Sequence, residues 1–348
     1  MAYSVPGNFG TYKFDGSDLR SGVAREDLLE QITNISPYDT PFVSQAPKVS
    51  CRHIYHQWLI DSLAAVGTYP NDLTGANEGG DWSLDATTTP TRDFNITMIL
   101  RKDIGLSESQ RAVDTAGFKD QYAYEVQKAT KELAIKLERV VFGAVTTATG
   151  ASGTARVFRG LQTFIGTNTA YAGANSGAAS GTAASDGQLG VGDFNDMLNA
   201  IYTQGGNPEQ VYVSPKVKRQ ISAFTVPGAA AGTPHARNIA AVDKKLVGAI
   251  DFYDSDFGLI QIVLDRWVPE STNTVTAVAS ATNTGGQMFF LSRAINRLAW
   301  LRPVQHQLVG KRGDSVAGLV VGEVTLEVLS EKANGRILAV NNKLLNVT

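Results

Sequence analysis

The chain has 348 residues, 43% of them hydrophobic, and 31 Lys and Arg against 33 Asp and Glu give a net charge of −2. The apolar share is ordinary for a folded chain and excludes disorder throughout, while the near-zero charge excludes the basic footprint of a dedicated nucleic-acid binder. A single cysteine, Cys51, excludes an internal disulfide framework, and the longest apolar runs, such as Leu259–Leu264, fall far short of the ~20 residues of a membrane span.

Residues 1–25 are rich in Gly, Ser and Tyr, show little periodicity, and lack the basic and apolar regions of a secretory leader. Glu26 to Phe42 then reads EDLLEQITNISPYDTPF. Leu28, Leu29, Ile32 and Ile35 recur at helical steps and predict a short amphipathic helix. Pro37 and Pro41 end it, because each bars its predecessor from helical dihedrals and lacks an amide donor. An extended strap ending in Pro41-Phe42-Val43 is expected. It has no core of its own, so Ile32, Pro37, Pro41 and Phe42 are candidate subunit contacts.

Two runs with a period of two follow. Ile54, His56, Trp58 and Ile60 share a face in the first; Phe94, Ile96, Met98 and Leu100 share one in the second. A long polar span containing Gly75, Gly79, Gly80 and Trp82 separates them. Residues 50–106 therefore predict one long hairpin. An isolated two-stranded hairpin is marginal in water, so this one is expected to pack on something outside its own domain. Trp58, Trp82 and Phe94 are its candidate contacts.

The period then changes. Phe118, Tyr122, Val126, Ala129, Leu133, Leu137 and Val140 step by four and three, opposite Lys128, Lys131, Glu132, Lys136 and Arg139. A helix of about 26 residues, roughly 40 Å long, is predicted as a spine crossing a whole domain. Residues 143–192 are dominated by small residues and read as a surface loop, interrupted by Val157–Ile165, which returns to the core.

Asp193 is the expected cap of a helix with the stripe Phe194, Met197, Leu198 and Ile201. Val211–Val213 reads as a buried strand and Pro215–Phe224 as a helix. Leu246–Tyr253 and Leu259–Leu264 read as strands around an Asp-rich turn. This block, about 193–275, is expected to be a second α/β domain inserted into the first. The last third is mostly strand. In Gly322–Leu329, Val324, Leu326 and Val328 oppose Glu323, Thr325 and Glu327, and Asn334-Gly335 signals a type I′ turn.

Little chemistry is visible. Cys51 and His53 share a strand face, but no third group is suggested to orient them as a nucleophile pair. Asp254-Ser255-Asp256 resembles an Asp-x-Asp metal site and equally an ordinary polar turn, which is the favoured reading. Phosphate-loop, nucleophile-elbow and Cys/His metal spacings are missing from the sequence. Trp300–Pro303 reads as a solvated face or subunit contact, which adds Arg302 to the candidates. A structural protein is expected, not an enzyme, with no cofactor and no metal.

Seven segments carry a family resemblance: EDLLEQITNISPYDTPF (26–42), YHQWLIDSLAA (55–65), SESQRAVDTAGFKDQYAYEVQKATKEL (107–133), GGNPEQVYVSP (205–215), DFYDSDFGLIQIV (251–263), LAWLRP (298–303) and GEVTLEVLSEKANG (322–335). In order, and over nearly the full length, they resemble the SU10-like major head proteins of tailed bacteriophages, which share the HK97 fold. The resemblance implies an α+β, HK97-like capsid fold. Residues 1–48 would be an N-terminal arm and 49–106 an extended β-hairpin loop overlapping a neighbour. Residues 107–192 would form a peripheral domain with its spine helix at 117–145, 193–284 an inserted α/β axial domain, and 285–348 the peripheral return strands.

It further implies a major capsid protein whose copies form hexamers and pentamers of an icosahedral head around double-stranded DNA, held without sequence specificity. Portal, scaffolding or decoration proteins would be further partners. The implied location is the virion, after assembly in the host cytoplasm, without a membrane. The alternatives are an encapsulin-like nanocompartment shell of the same fold and a β-rich phage adhesin. The adhesin would require repeats or paired acids in a cleft, and the sequence has neither.

Overall fold

The computed structural model describes residues 36–63, 78–79, 81, 89–113, 120–172, 189–222, 239–240, 245–246, 251–270, 286–311 and 313–340. The predicted helix around Ile32, the hairpin tip with Trp82, and Phe118 lie outside them. In chain order the first elements are α1 (Pro41–Gln45), β1 (Lys48–Ser50), β2 (Tyr55–Ile60), β3 (Thr91–Ile96), β4 (Met98–Ser107), α2 (Glu108–Ala112) and α3 (Gln121–Val141). Then come α4 (Leu161–Phe164), β5 (Thr169–Tyr171), α5 (Val191–Thr203), β6 (Gln210–Val213), α6 (Pro215–Ser222), β7 (Ile239–Ala240) and β8 (Lys245–Leu246). The last are β9 (Phe252–Ser255), β10 (Gly258–Leu264), β11 (Gly286–Leu291), β12 (Asn296–Val309), β13 (Ser315–Val328) and β14 (Gly335–Val340).

Two sheets organise these elements. A four-stranded sheet runs β1-β12-β13-β4 and a six-stranded sheet runs β5-β14-β11-β6-β10-β9, with β2–β3 and β7–β8 as separate pairs. One apolar core lies along α3: Ala129, Leu133, Leu137 and Val141 pack with Met98, Leu100, Val320, Val324 and Leu326 of the four-stranded sheet. A second lies under α5 and α6, where Phe194, Met197, Leu198, Ile201, Val217 and Ile221 meet Val211, Ile260, Met288 and Ile337. The architecture is α+β, as expected.

The spine helix is present but spans 21 residues, about 32 Å at 1.5 Å per residue. Asp120 starts it, accepting the amides of Tyr122 and Ala123. Val157–Ile165 does return to the core, with Phe158, Leu161 and Ile165 fully buried. At α5 the cap is displaced: Gly190 is the N-cap, and Asp193 reaches back from the first turn to accept the Gly190 amide at 2.9 Å.

Several expectations are corrected. Pro41 does not continue an extended strap; it opens α1, where its fixed φ suits a helix and its missing N–H leaves no bond unmade. The predicted hairpin 50–106 ends at Ile96. Thr97 breaks the run, and β4 leaves β3 to pair antiparallel with β13 from Met98↔Val324 to Ser107↔Ser315. The return strands are divided: β12 and β13 lie in the four-stranded sheet, whereas β11 and β14 lie in the six-stranded one, with β11 between β14 and β6.

Asn334-Gly335 makes no hairpin turn. Asn334 is extended (φ −114°, ψ 160°), and its buried side chain exchanges hydrogen bonds with Asn296 and accepts the Ser292 amide. Glycine follows because α5 passes over it: a Cβ there would lie 2.7 Å from both Ile201 Cδ1 and Met197 Sδ. Both neighbours are ends of flexible side chains. Gly335→Ala is therefore expected to cost about 1 kcal/mol, the low end for overpacking, read as a lower urea midpoint at unchanged slope.

Candidate subunit interface

The β2–β3 hairpin has two faces of opposite character. Its inner face is clamped to the body by polar groups. His56 Nε2 lies 2.9 Å from Glu327 Oε2, and Asp93 holds the Arg159 guanidinium at 2.9 and 3.1 Å. Asn95 Nδ2 donates to the carbonyls of Arg159 and Leu326, while its Oδ1 accepts the Arg159 amide. Trp58 packs over Phe164 with ring centres 6.1 Å apart.

The outer face carries three exposed apolar side chains beside Gln57 and Arg92. Tyr55 is 41% exposed, Leu59 66% and Phe94 43%. The register explains the sorting. Trp58 faces Asp93, His56 faces Asn95 and Gln57 faces Phe94, so Phe94 stands on the side of Tyr55 and Leu59. Simple alternation placed Phe94 with the buried Met98 and Leu100; the break at Thr97 separates them.

The clamp relies on the acidic face of β13, which alternation alone points toward solvent. Glu323, Thr325 and Glu327 are all buried. Glu323 Oε1 accepts from Thr97 Oγ1 at 2.7 Å and pairs with Arg156 at 2.8 Å; its Oε2 accepts from Arg302 at 3.0 Å. Hydroxyl, guanidinium and imidazole groups from distant segments thus partner the two carboxylates of a strand that reads as half polar.

The segment around α1 is anchored differently. The Phe42 ring meets Phe142 and Tyr212 edge-on, at 5.6 and 5.7 Å. The amides of Phe42 and Val43 donate to Glu138 Oε1 and Oε2, each at 2.8 Å. Upstream, Lys131 sits over the Tyr38 ring and Trp267 Nε1 donates to the Asp39 carbonyl at 2.8 Å. Glu138 is fully buried, and its carboxyl is pushed up to about 8, first by burial and then by the neighbouring Asp265.

The contact candidates divide accordingly. Phe94, Pro37 and Arg302 are exposed and Pro41 half-buried, although the Arg302 guanidinium is engaged by Glu323. Phe42 and Trp58 are corrections: both are buried in the chain's own core, where α3 and α4 supply the apolar counterpart. Ile32 and Trp82 lie outside the described residues. Leu59 was missed, although its parity opposite His56 and Trp58 marked it as an apolar residue on the outward face.

The chemical candidates resolve into structural roles. Cys51 is buried and its thiol is raised by burial, then by the charge of Glu323, the opposite of an activated thiolate. His53 Nδ1 accepts the Tyr55 amide. In the Asp254–Gly258 turn, Ser255 Oγ accepts the Phe257 amide and donates to the Gly258 carbonyl. Among the described residues no three His, Cys, Asp or Glu side chains are grouped to hold a metal, and no helix is long and apolar enough to cross a membrane.

Known proteins place this geometry. The chain is similar to the capsid of a native GTA particle (TM-score 0.61, 12% identity, covering 93% of this chain and 98% of the other). It is similar to the capsid of the cyanophage P-SCSP1u (TM-score 0.57, 13% identity, 97% and 99%). It is also similar to the SrpI encapsulin of Synechococcus elongatus PCC 7942 (TM-score 0.53, 9% identity, 95% and 98%). At these identities the likeness establishes the HK97-like fold alone. A stretch of 111 residues is 32% identical to the major capsid protein of Escherichia phage Phieco32, spanning 32% of this chain and 30% of that protein. The model of the SU10 major capsid protein family matches residues 7–341. The chain belongs to the SU10 major capsid protein family.

Proposed function

We infer that the chain is a major capsid protein of a tailed bacteriophage. Its copies close into hexamers and pentamers of an icosahedral head around double-stranded DNA, with portal, scaffolding or decoration proteins as partners in the virion. It has no catalytic role. The observation that carries the assembly reading is the outer face of the β2–β3 hairpin. Tyr55, Leu59 and Phe94 stand exposed on a hairpin whose other face is rigidly clamped. Covering one such side chain contributes roughly 1.5–3 kcal/mol, and the contact repeats at every subunit of a closed shell.

The division of labour follows the resemblance. Residues 1–48 serve as the arm, 49–106 as the loop over a neighbour, 107–192 as the peripheral domain, 193–284 as the axial domain and 285–348 as the return strands of the peripheral domain. Within the six-stranded sheet, β11 of the last region pairs with β6 of the axial region.

The test is the double substitution L59K/F94K in the full chain. Shells seen by electron microscopy are expected to disappear, while the thermal midpoint of the soluble subunit stays within a few degrees. Normal shells from the double variant would remove the hairpin from the interface. Nuclease-protected DNA inside purified particles supports the capsid role. Protein cargo in its place would favour the nanocompartment reading, since the fold is common to both.

A further inference from the structure

A pair of buried acids fastens the arm to the body. Glu138 comes from the buried side of α3, and each of its carboxyl oxygens accepts one amide of α1. Asp265, at the end of β10, is 1% exposed. Its Oδ1 accepts the Trp267 amide at 2.8 Å. Its Oδ2 is buried without a hydrogen-bond partner among the described residues, and the Asp265 carboxyl neighbours that of Glu138.

The surroundings supply no cation to this pair. From α1 come Phe42 and Val43, which do not titrate. From β6 comes the Tyr212 phenol, which donates to Gln210 Oε1 at 3.0 Å. From the turn after β11 comes Arg293, whose Nε donates to the Gln45 carbonyl. Arg266, beside Asp265, turns outward to Asp39 at 3.9 Å, and Arg139, beside Glu138, lies over the Trp267 ring. Neither buried carboxyl has an ion-pair partner among the described residues. Two carboxylates side by side in a dry site cannot both stay ionised, so one proton is retained between them. That proton also gives Asp265 Oδ2 the donor it lacks.

We propose that Glu138 and Asp265 form a proton-operated latch on the N-terminal arm, closed while they share one proton and opened when both ionise. The latch joins three parts at one point: α1, the spine helix α3 and the end of β10 in the six-stranded sheet. Its opening releases the two α1 amides from Glu138 and loosens the seat of Phe42. The sign follows from the carboxyls being raised in the folded chain, Glu138 from 4.5 to about 8. The folded state then keeps a proton that the unfolded chain has lost. The latch is at full strength below the unfolded value and weakens as pH rises through about 8.

Amide hydrogen exchange of the full chain, corrected for its intrinsic pH dependence, tests this. Protection of the segment containing Phe42 and Val43 is expected to fall by more than about tenfold between about pH 6 and pH 9, while β13 keeps its own. Asp265→Asn removes the second charge and offers Glu138 an amide donor, so it should hold the protection level across that range. Unchanging protection in the native chain, or an Asp265→Asn profile that follows the native one, overturns the latch. An infrared titration of the unsubstituted chain serves if that variant does not fold. A protonated-carboxyl stretch that persists to neutral pH and vanishes together with the arm's protection supports the proposal, and its absence at neutral pH overturns it.

Discussion

Phe42→Ala is expected to lower the stability of the full chain by about 3–5 kcal/mol, the usual range for emptying a buried aromatic site. Phe42 is 3% exposed and touches Phe142 and Tyr212, so the cavity would open where α1, α3 and β6 meet. The neighbours cannot close it easily. Phe142 is itself packed against Phe289 at 5.2 Å, and Tyr212 is tethered to Gln210. The measurement is the denaturant midpoint of the soluble subunit, with proteolysis near residue 40 as a second readout. The size of the effect separates two roles. A residue that served only a neighbouring copy would leave the isolated subunit within about 0.5 kcal/mol and act on assembly alone.

Glu323→Ala is expected to destabilise by a similar amount, about 3–5 kcal/mol, because it leaves partners behind in a buried site. Three groups lose their acceptor: Thr97 Oγ1, the Arg156 guanidinium and that of Arg302. They do not suffer equally. The Arg302 side chain is 47% exposed and can rehydrate, whereas that of Arg156 is 19% exposed. A double-mutant cycle is therefore expected to give a coupling below about 1 kcal/mol for Glu323 with Arg302 and a clearly larger one with Arg156. Equal couplings would mean that the site is wetter than its burial indicates. Thr97 sits at the step from β3 to β4, so the same substitution is also expected to loosen the base of the hairpin, read as faster exchange at residues 95–97.

Much of the local structure was written in the residue order. The stripe from Tyr122 to Val140, the stripe of α5, the turn between β9 and β10 and the pairing of β2 with β3 all depend on neighbours within a few residues or on a simple period. Such patterns survive whatever the rest of the chain does. The family resemblance was legible for the same reason, as a set of short segments taken in order along this chain.

Other features depended on partners far away in the chain, and only the folded structure decided them. Glu323, Thr325 and Glu327 alternate with valine and leucine and read as a solvent face. The two glutamates are buried because His56, Thr97, Arg156 and Arg302 arrive over separations of up to 271 residues to satisfy them. Pro41 reads as a helix breaker, yet it opens a helix whose next two amides are met by an acid from α3. Phe94 faces outward because Asn95 takes the inner position, where Arg159 and Leu326 satisfy its amide. Periodicity reports which residues share a face. Whether that face is dry depends on polar groups finding partners, and those partners come together only in the folded chain.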